Sequence, residues 1–368
     1  MSEELYVSPA IKLPTLDQLR TISKDLGFQL ADEDLLQHQE HTKGAQKAYQ
    51  RVSELVEPTL EVKYPRTPGY RPTKQDNPNN AWAWRTDIQG AKDGKLYGKT
   101  IAIKDSIAVA GVPMSDGSKI FQGYVPEFDA SVVTRVLDAG GRITGKAQCE
   151  NLTWSGTSST GPVPITNPID ETRSTGGSSS GSGALVASGQ VDLSIGGDQG
   201  GSVRIPASWC GIVALKPTFG LVPYSGSCSL LTTIDHLGPM TRTVDDCALL
   251  LEVLAGYDGF DSRQEPDRPV QEYSKLLGTD ISGLKIGFVV EGFENCEPDV
   301  QEIVRATIEV FFKAGATVED VSIPMHKDAA AIWTAVGVEG GYLQTFYGIS
   351  SPIFDLIVIT EFSNKGSN

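Results

Sequence analysis

Histidine and cysteine are scarce in this chain, four of one and five of the other in 368 residues. Cys149, Cys210, Cys228, Cys247 and Cys296 are odd in number, widely scattered and form no C-x-x-C pair. That suits reduced thiols in an intracellular protein better than a disulfide framework or a zinc site. The histidines offer no metal site either: His38 and His41 lie in a polar helical stretch, and His236 and His326 stand without spaced partners. A hydrolytic reaction would have to find its base elsewhere. Positive charge is also short, with 31 Lys and Arg against 46 Asp and Glu and a net charge of −15. Such a field repels phosphate backbones and argues against nucleic acid or an anionic membrane as the main partner. No apolar run is long enough to cross a bilayer, and the start M-S-E-E-L-Y-V-S-P lacks the basic and apolar regions of a signal peptide. Asn151-Leu-Thr153 fits a glycosylation sequon, which without a secretory signal is read as chance. The expected compartment is the cytoplasm.

What is present is the composition of a soluble globular protein, 39% hydrophobic and 21% charged, long enough for one large domain or two of ordinary size. T-L-D-Q-L-R-T-I-S-K-D-L-G predicts a helix, with Leu16, Leu19, Ile22 and Leu26 three or four apart and Gly27 as its stop. Glu33 to Leu55 predicts a second. The Pro-rich passage K-Y-P-R-T-P-G-Y-R-P-T-K-Q-D-N-P-N-N fits neither helix nor central strand. It divides a helical region with linker, residues 1–85, from a main domain, residues 86–368. In the main domain strand-like and helix-like segments alternate. K-T-I-A-I-K-D, Q-V-D-L-S-I-G-G, G-I-V-A-L-K-P and L-K-I-G-F-V-V read as strands. D-A-S-V-V-T-R-V-L-D-A-G-G reads as a helix capped by Asp129 and stopped by Gly140, and T-V-D-D-C-A-L-L-L-E-V-L-A-G as one capped by Thr243 with Asp246 three residues on. A third, D-V-Q-E-I-V-R-A-T-I-E-V-F-F-K-A-G, has an apolar face that includes Val300, Ile303, Val304 and Phe311. The alternation predicts an α/β fold with a covered sheet.

Two glycine-rich stretches break the pattern: S-T-G-G-S-S-S-G-S-G at 174–183 and G-G-D-Q-G-G-S-V-R-I-P from 196. The first has linker composition, yet mostly apolar sequence follows it before the second begins, which linkers seldom show. Gly177-Ser178-Ser179-Ser180-Gly181 matches the G-x-S-x-G nucleophile elbow. That elbow needs a preceding strand, and I-D-E-T-R-S-T-G is not strand-like. Gly140 to Ala147, G-G-R-I-T-G-K-A, nearly matches a phosphate-binding loop, but Ala147 stands where Ser or Thr would hold magnesium and the segment follows a helix. It reads instead as a helix stop leading into a strand.

Three pieces survive. Lys104 lies among Ile101, Ala102, Ile103 and Ile107 near a strand end. Buried, it would lose its proton readily and serve as a base; on an alternating strand it could equally face outward, and local sequence favours that. Ser178 follows glycines that permit unusual backbone angles and close approach. Ser202 follows Gly200 and Gly201, a context in which successive N–H groups can turn toward one point as an oxyanion hole requires, or simply make a tight turn.

Together K-D-S, G-G-S-S-S-G-S-G-A, G-G-D-Q-G-G-S-V-R-I-P-A-S-W-C-G-I-V-A-L-K-P-T and T-I-D-H-L-G-P-M-T-R-T-V-D-D closely resemble the amidase signature family, from about residue 97 to about 260. The resemblance implies a mixed, twisted central sheet covered by helices, with a small N-terminal helical region. It implies hydrolysis of a carboxylic acid amide without metal or cofactor, with a small-molecule amide as partner. Ser202 would be the nucleophile and Ser178, preceded by a cis peptide bond, the bridging serine. Lys104 would be the base. Backbone N–H groups around Gln199, Gly200, Gly201 and Ser202 would hold the oxyanion. Asp198 and Arg204 would support the site, and Ser179 and Ser180 would assist its hydrogen bonds. R-I-P after the nucleophile, with Gln199 before it, resembles broad-range stand-alone amidases more than amidotransferase subunits, which typically show R-Q-P and are the alternative. The N-terminal helices resemble an extra domain used for dimer contacts, leaving a homodimer open. Two departures stand out: Ser180 occupies a usual glycine position, and family chains usually continue past E-F-S-N-K-G-S-N. The second departure raises a further alternative, an amidase-like chain without catalytic activity.

Overall fold

A computed structural model describes residues 11–55 and 59–347; the segments M-S-E-E-L-Y-V-S-P and E-F-S-N-K-G-S-N lie outside them. Two compact units divide between Thr59 and Leu60. The first holds helices α1 (Leu16–Asp25) and α2 (Asp32–Ser53). Thr15 caps α1 in a box with Gln18, Gly27 ends the turn after it with φ +78°, and the Gln39 side-chain amide donates to Pro14 O from α2. Ile22 and Leu26, two of the four apolar residues whose spacing predicts this helix, are exposed.

The second unit begins with the Pro-rich passage, which is pinned along strand β1 (Trp82–Gln89): Tyr70 exchanges backbone bonds with Arg85, and the Trp84 indole donates to Pro68 O. Next come β2 (Thr100–Lys104), α3 (Ser131–Asp138), β3 (Arg142–Ala147), α4 (Ser180–Ala187), β4 (Leu193–Asp198), α5 (Arg204–Cys210), β5 (Val213–Ala214), β6 (His236–Thr241) and α6 (Val244–Leu254). Among the described residues they form a six-stranded mixed sheet in the order β1-β3-β2-β4-β6-β5. β3-β2-β4 pair in parallel, and β1, β6 and β5 are antiparallel to their neighbours. A separate parallel pair, β7 (Lys285–Val289) and β8 (Thr317–Val321), flanks α7 (Pro298–Lys313) in sequence, and α8 (Ala329–Tyr347) follows.

The glycine-rich segment 140–147 is the predicted helix stop and strand, with Gly140 at φ +84°. Thr243 caps α6 by accepting from Asp246 N–H, while the Asp246 carboxylate reaches Lys99 at 2.8 Å. Asp129 does not cap α3. Ala130 holds that place, and the buried Asp129 carboxylate instead accepts from Ala110 N–H and Arg66. Of the apolar face predicted for α7, Val304 is half-buried, whereas Val300, Ile303 and Phe311 are exposed among the described residues.

Strand alternation sorts the sheet's two faces. Ile101, Ile103, Leu193 and Ile195 pack with Val132, Val136 and Leu137 of α3 and Leu250 and Leu254 of α6. Ala102 and Ala147 belong to the opposite face, with Ala184, Leu185 and Val186 of α4. Lys104, two residues after Ala102 and paired with Ala147, lies on this second face. Residues 180–186 of α4 are all buried, and its small residues let it sit close to neighbouring backbone. A Cβ at Gly181 would stand 2.6 Å from Gln148 O, and one at Gly183 would press on Pro206. The linker-like composition is that of a buried helix.

Candidate active site

Lys104 ends β2 beneath the start of α4 and has no exposed surface. Its Nζ donates to Ser178 Oγ at 2.8 Å and to Gly197 O at 3.3 Å. The outward orientation favoured by local sequence is excluded. Burial lowers the Lys104 pKa, outweighing the carboxylates of Asp116, Asp198 and Glu150, which pull it up. With an oxygen partner at hydrogen-bond distance and little solvation for an ammonium, Lys104 is suited to alternate between amine and ammonium.

The peptide bond between Gly177 and Ser178 is cis. Ser178 O accepts from Glu150 N–H, and Ser178 Oγ is fully enclosed beside Lys104. Ser179 N–H donates to Ser202 O at 3.2 Å, while the Ser179 hydroxyl donates to Gly197 O and accepts from Gly197 N–H. Through these bonds the start of α4, the end of β4 and the Ser202 loop form one unit. The hydrogen bond made by the Ser178 hydroxyl is with Lys104; Ser202 joins the group through its backbone. Ser180, the departure from a usual glycine, donates its buried hydroxyl to Glu150 Oε1 at 2.9 Å. The other Glu150 oxygen takes Thr160 N–H and hydroxyl. The extra side chain therefore completes the coordination of a buried acid.

The loop from 198 to 204 closes on Asp198. Its carboxylate accepts from Gly201 N–H at 2.8 Å, Val203 N–H at 3.1 Å and two nitrogens of Arg204 at 2.9 and 3.0 Å. Burial works to raise the Asp198 pKa, but the Arg204 bond and charge and the two N–H groups together hold it below the ordinary carboxylate value. One of the N–H groups expected to hold an oxyanion already has a partner. The Gly201 N–H is directed onto Asp198, so it is not a free oxyanion donor.

The Gln199 side chain points away from this loop's opening, its Nε2 donating to Tyr224 Oη and Asp235 Oδ1, each at 2.9 Å. Gln199 O accepts the Trp333 indole N–H at 2.8 Å, and a Cβ on Gly200 would come within 2.7 Å of that ring. Trp154 meets Trp333 edge-on with centroids 6.4 Å apart. Glu150, Tyr224, Trp154 and Trp333 carried no signal by which sequence reasoning could have found them. Asp235 lay unremarked inside the T-I-D-H segment. His236 is half-buried and its Nδ1 sits 2.8 Å from Ile234 O; its pKa is lowered, mainly by burial. Among the described residues no three His, Cys, Asp or Glu are placed to hold a metal ion, and no helix is long and apolar enough to cross a membrane.

Residues 70–361 match the sequence profile of the Amidase family. The chain belongs to the amidase family. An enantioselective amidase of Rhodococcus rhodochrous is 48% identical over 306 residues, which cover 80% of this chain and 58% of that one. A glutamyl-tRNA(Gln) amidotransferase subunit of Methanosarcina acetivorans is 43% identical over 244 residues, 66% of this chain and 51% of that one. The chain thus spans little more than half the length of these two relatives. Its fold is that of amidase-family structures. The glutamyl-tRNA(Gln) amidotransferase subunit of Thermotoga maritima superposes with a TM-score of 0.67 at 31% identity, over 79% of this chain and 65% of that chain. The native peptide amidase of Stenotrophomonas maltophilia does so with a TM-score of 0.62 at 28% identity, over 74% and 58%.

Proposed function

We propose that this amidase-family chain cleaves the C–N bond of a carboxylic acid amide through an acyl-enzyme on Ser202. The observation that carries the reading is the buried 2.8 Å hydrogen bond between Lys104 and Ser178, in a segment tied by backbone to Ser202. In the acylation step Ser202 Oγ attacks the carbonyl carbon. Its proton passes to Ser178 Oγ, whose own proton passes to Lys104 Nζ. Negative charge grows on the carbonyl oxygen, facing the N–H groups of Gln199, Gly200 and Ser202. As the C–N bond breaks, the relay runs backward and delivers a proton to the leaving nitrogen. Water then attacks the ester by the same route, releasing the carboxylate. Asp198 and Arg204 act by holding the loop, not by touching substrate.

The 48% identity to an enantioselective amidase favours a stand-alone hydrolase of simple amides. An open apolar hollow of about 500 Å³, lined in part by Ile234, Ile332, Trp333 and Val336, adjoins the Gln199 loop and suits an apolar substituent. A cytoplasmic setting is supported by five free cysteines, four of them buried. The similarity to amidotransferase subunits favours a second reading, in which glutamine is the amide and a partner protein is required.

The test is covalent labelling of the purified full chain with a fluorophosphonate, followed by intact mass and peptide mapping. One label at Ser202 is expected, abolished in Ser202→Ala and slowed about 100-fold or more in Lys104→Ala. A monodisperse, cooperatively melting chain that takes no label would refute the reading. Ammonia release from glutamine only in the presence of a partner protein would move it to the second.

A further inference from the structure

Glu150 has no exposed surface, and its contacts run to both sides of the site. On one side lies the serine read as the bridge. Glu150 N–H donates to Ser178 O at 3.2 Å, and Glu150 Oε1 accepts from Ser180 Oγ at 2.9 Å, so one residue grips the chain on either side of Ser179. Gln148, two residues earlier, accepts from Gly181 N–H at 2.9 Å. The fit leaves no slack: a Cβ at Gly177 would stand 2.5 Å from Thr157 O and 3.0 Å from Glu150 Cγ. A carboxylate taken out of water needs donors at both oxygens, and the Ser180 hydroxyl supplies the one at Oε1.

On the other side lies the aromatic cover. Glu150 Oε2 accepts from Thr160 N–H at 2.7 Å, from the Thr160 hydroxyl at 2.8 Å and from Gly161 N–H at 3.3 Å. Thr160 Oγ1 in turn accepts from Asn151 N–H at 3.3 Å. These bonds close the loop from 151 to 160, which carries Trp154 against Trp333, the ring that covers Gly200. The loop starts with a left-handed step, Leu152 at φ +51° and Thr153 at φ +59°, a conformation that a β-branched residue rarely adopts. Such a step persists where surrounding contacts over-determine it. Here Leu152 N–H donates to Asp116 O, Thr153 N–H to Glu150 O and Trp154 N–H to Asn151 O.

We propose that Glu150 is a positioning residue with two separable arms. Through Oε1 and Ser180 it sets the Ser178 hydroxyl against Lys104, and through Oε2 and Thr160 it sets the Trp154–Trp333 wall against the nucleophile's loop. It touches no reacting atom, and no bond to it forms or breaks. The first arm governs how fast Ser202 reacts, because displacing a group of the site by about 1 Å can cost about 100-fold. The second governs the preference for an apolar group beside the hollow lined in part by Ile234, Ile332, Trp333 and Val336. The alternative is that Glu150 acts by charge alone, since its carboxylate is among those that favour the Lys104 ammonium. The proposal rests on the reading of Lys104, Ser178 and Ser202 as a relay.

The experiment measures second-order rates of Ser202 labelling in the full chain with methyl and octyl fluorophosphonates, and takes their ratio as the preference for an apolar tail. Ser180→Ala should slow both probes about 10-fold and leave the ratio in place, since it strands Glu150 Oε1 and spares the Thr160 arm. Thr160→Val should lower the octyl-to-methyl ratio several-fold. Glu150→Ala should do both. In Glu150→Gln the amide oxygen can accept from Thr160 N–H while the amide nitrogen donates to Ser180 Oγ, so most of the loss should be recovered. A contribution to folding alone would slow the two probes together in every variant, in step with melting temperature and with the ratio unmoved; that result overturns the proposal. So does a Glu150→Gln chain as impaired as Glu150→Ala, which assigns the effect to charge, or a wild-type chain with no preference for the octyl probe, which removes the wall from the site. If Ser202 labels in a Lys104-dependent way and the two arms do not separate, the assignment of Glu150 fails and the relay stands. If Ser202 of the wild type takes no label, the relay reading fails and the proposal falls with it.

Discussion

Asp198→Asn is the substitution by which the architecture of the site can best be weighed. It preserves shape and removes a charge that accepts from Gly201 N–H, Val203 N–H and the Arg204 guanidinium. Arg204 is half exposed, at 55% of its side-chain surface, and can turn to water, so little of the cost comes from stranding it. The two backbone N–H groups cannot move without unwinding the loop, and an amide nitrogen would face at least one of them. Breaking a buried ion pair by removing one partner costs about 3–5 kcal/mol, and the freedom of Arg204 places this case near the lower end. At roughly 2–3 °C per kcal/mol for a unit of this size, the melting temperature should fall by roughly 6–10 °C. The sign of the pH dependence follows from the depressed pKa of Asp198. Its contribution is fully present above the unfolded carboxyl pKa, about 3.9, and is lost as pH falls through the lower folded value. The gap between wild type and variant should therefore be constant from about pH 5 to 8 and close on acidification. Calorimetry at several pH values checks the stability, and fluorophosphonate labelling of Ser202 checks the loop. A variant that melts within about 1 °C of wild type and labels as fast would refute the idea that Asp198 holds the nucleophile's loop.

Gly181→Ala should destabilise by roughly 1–3 kcal/mol, because the new methyl meets the backbone carbonyls of Ala81 and Gln148, which have no rotamer to yield; chemical denaturation measures it, and a neutral result would deny that α4 is close-packed. Trp333→Phe keeps an aromatic cover over Gly200 and deletes the bond to Gln199 O. Labelling of Ser202 should slow several-fold, with stability reduced by about 1 kcal/mol, and kinetics of labelling beside a melting curve separates the two effects.

The fold was legible where periodicity and punctuation agreed. T-I-A-I-K and L-K-I-G-F-V became β2 and β7, and Thr243 capped α6 as its sequence predicts. Caps chosen by residue type alone fared worse. Asp129 has the chemistry of a cap, but the Ala110 N–H and the Arg66 guanidinium claimed its carboxylate, and a charged partner outcompetes an unpaired helix N–H. The exposed apolar residues of α7 show the limit of amphipathic patterning, which predicts a face but not what covers it.

The site was legible through motif and illegible through local physics, and Lys104 shows why. Alternation along β2 assigns it to the face of Ala102, but whether that face is buried depends on α4, whose sequence, S-G-S-G-A-L-V-A, looks like a linker. The two ambiguities resolve each other. Small residues are what let a helix lie so close to the sheet, and a helix that close is what strips Lys104 of water. Reading either segment alone gives an exposed lysine and a flexible spacer. Trp333 belongs to a further class, since it acquires its meaning from a contact far along the chain, with Gln199. The engagement of the Gly201 N–H was illegible for a related reason. A glycine pair signals that N–H groups can converge, but only the position of Asp198 decides which of them is already engaged.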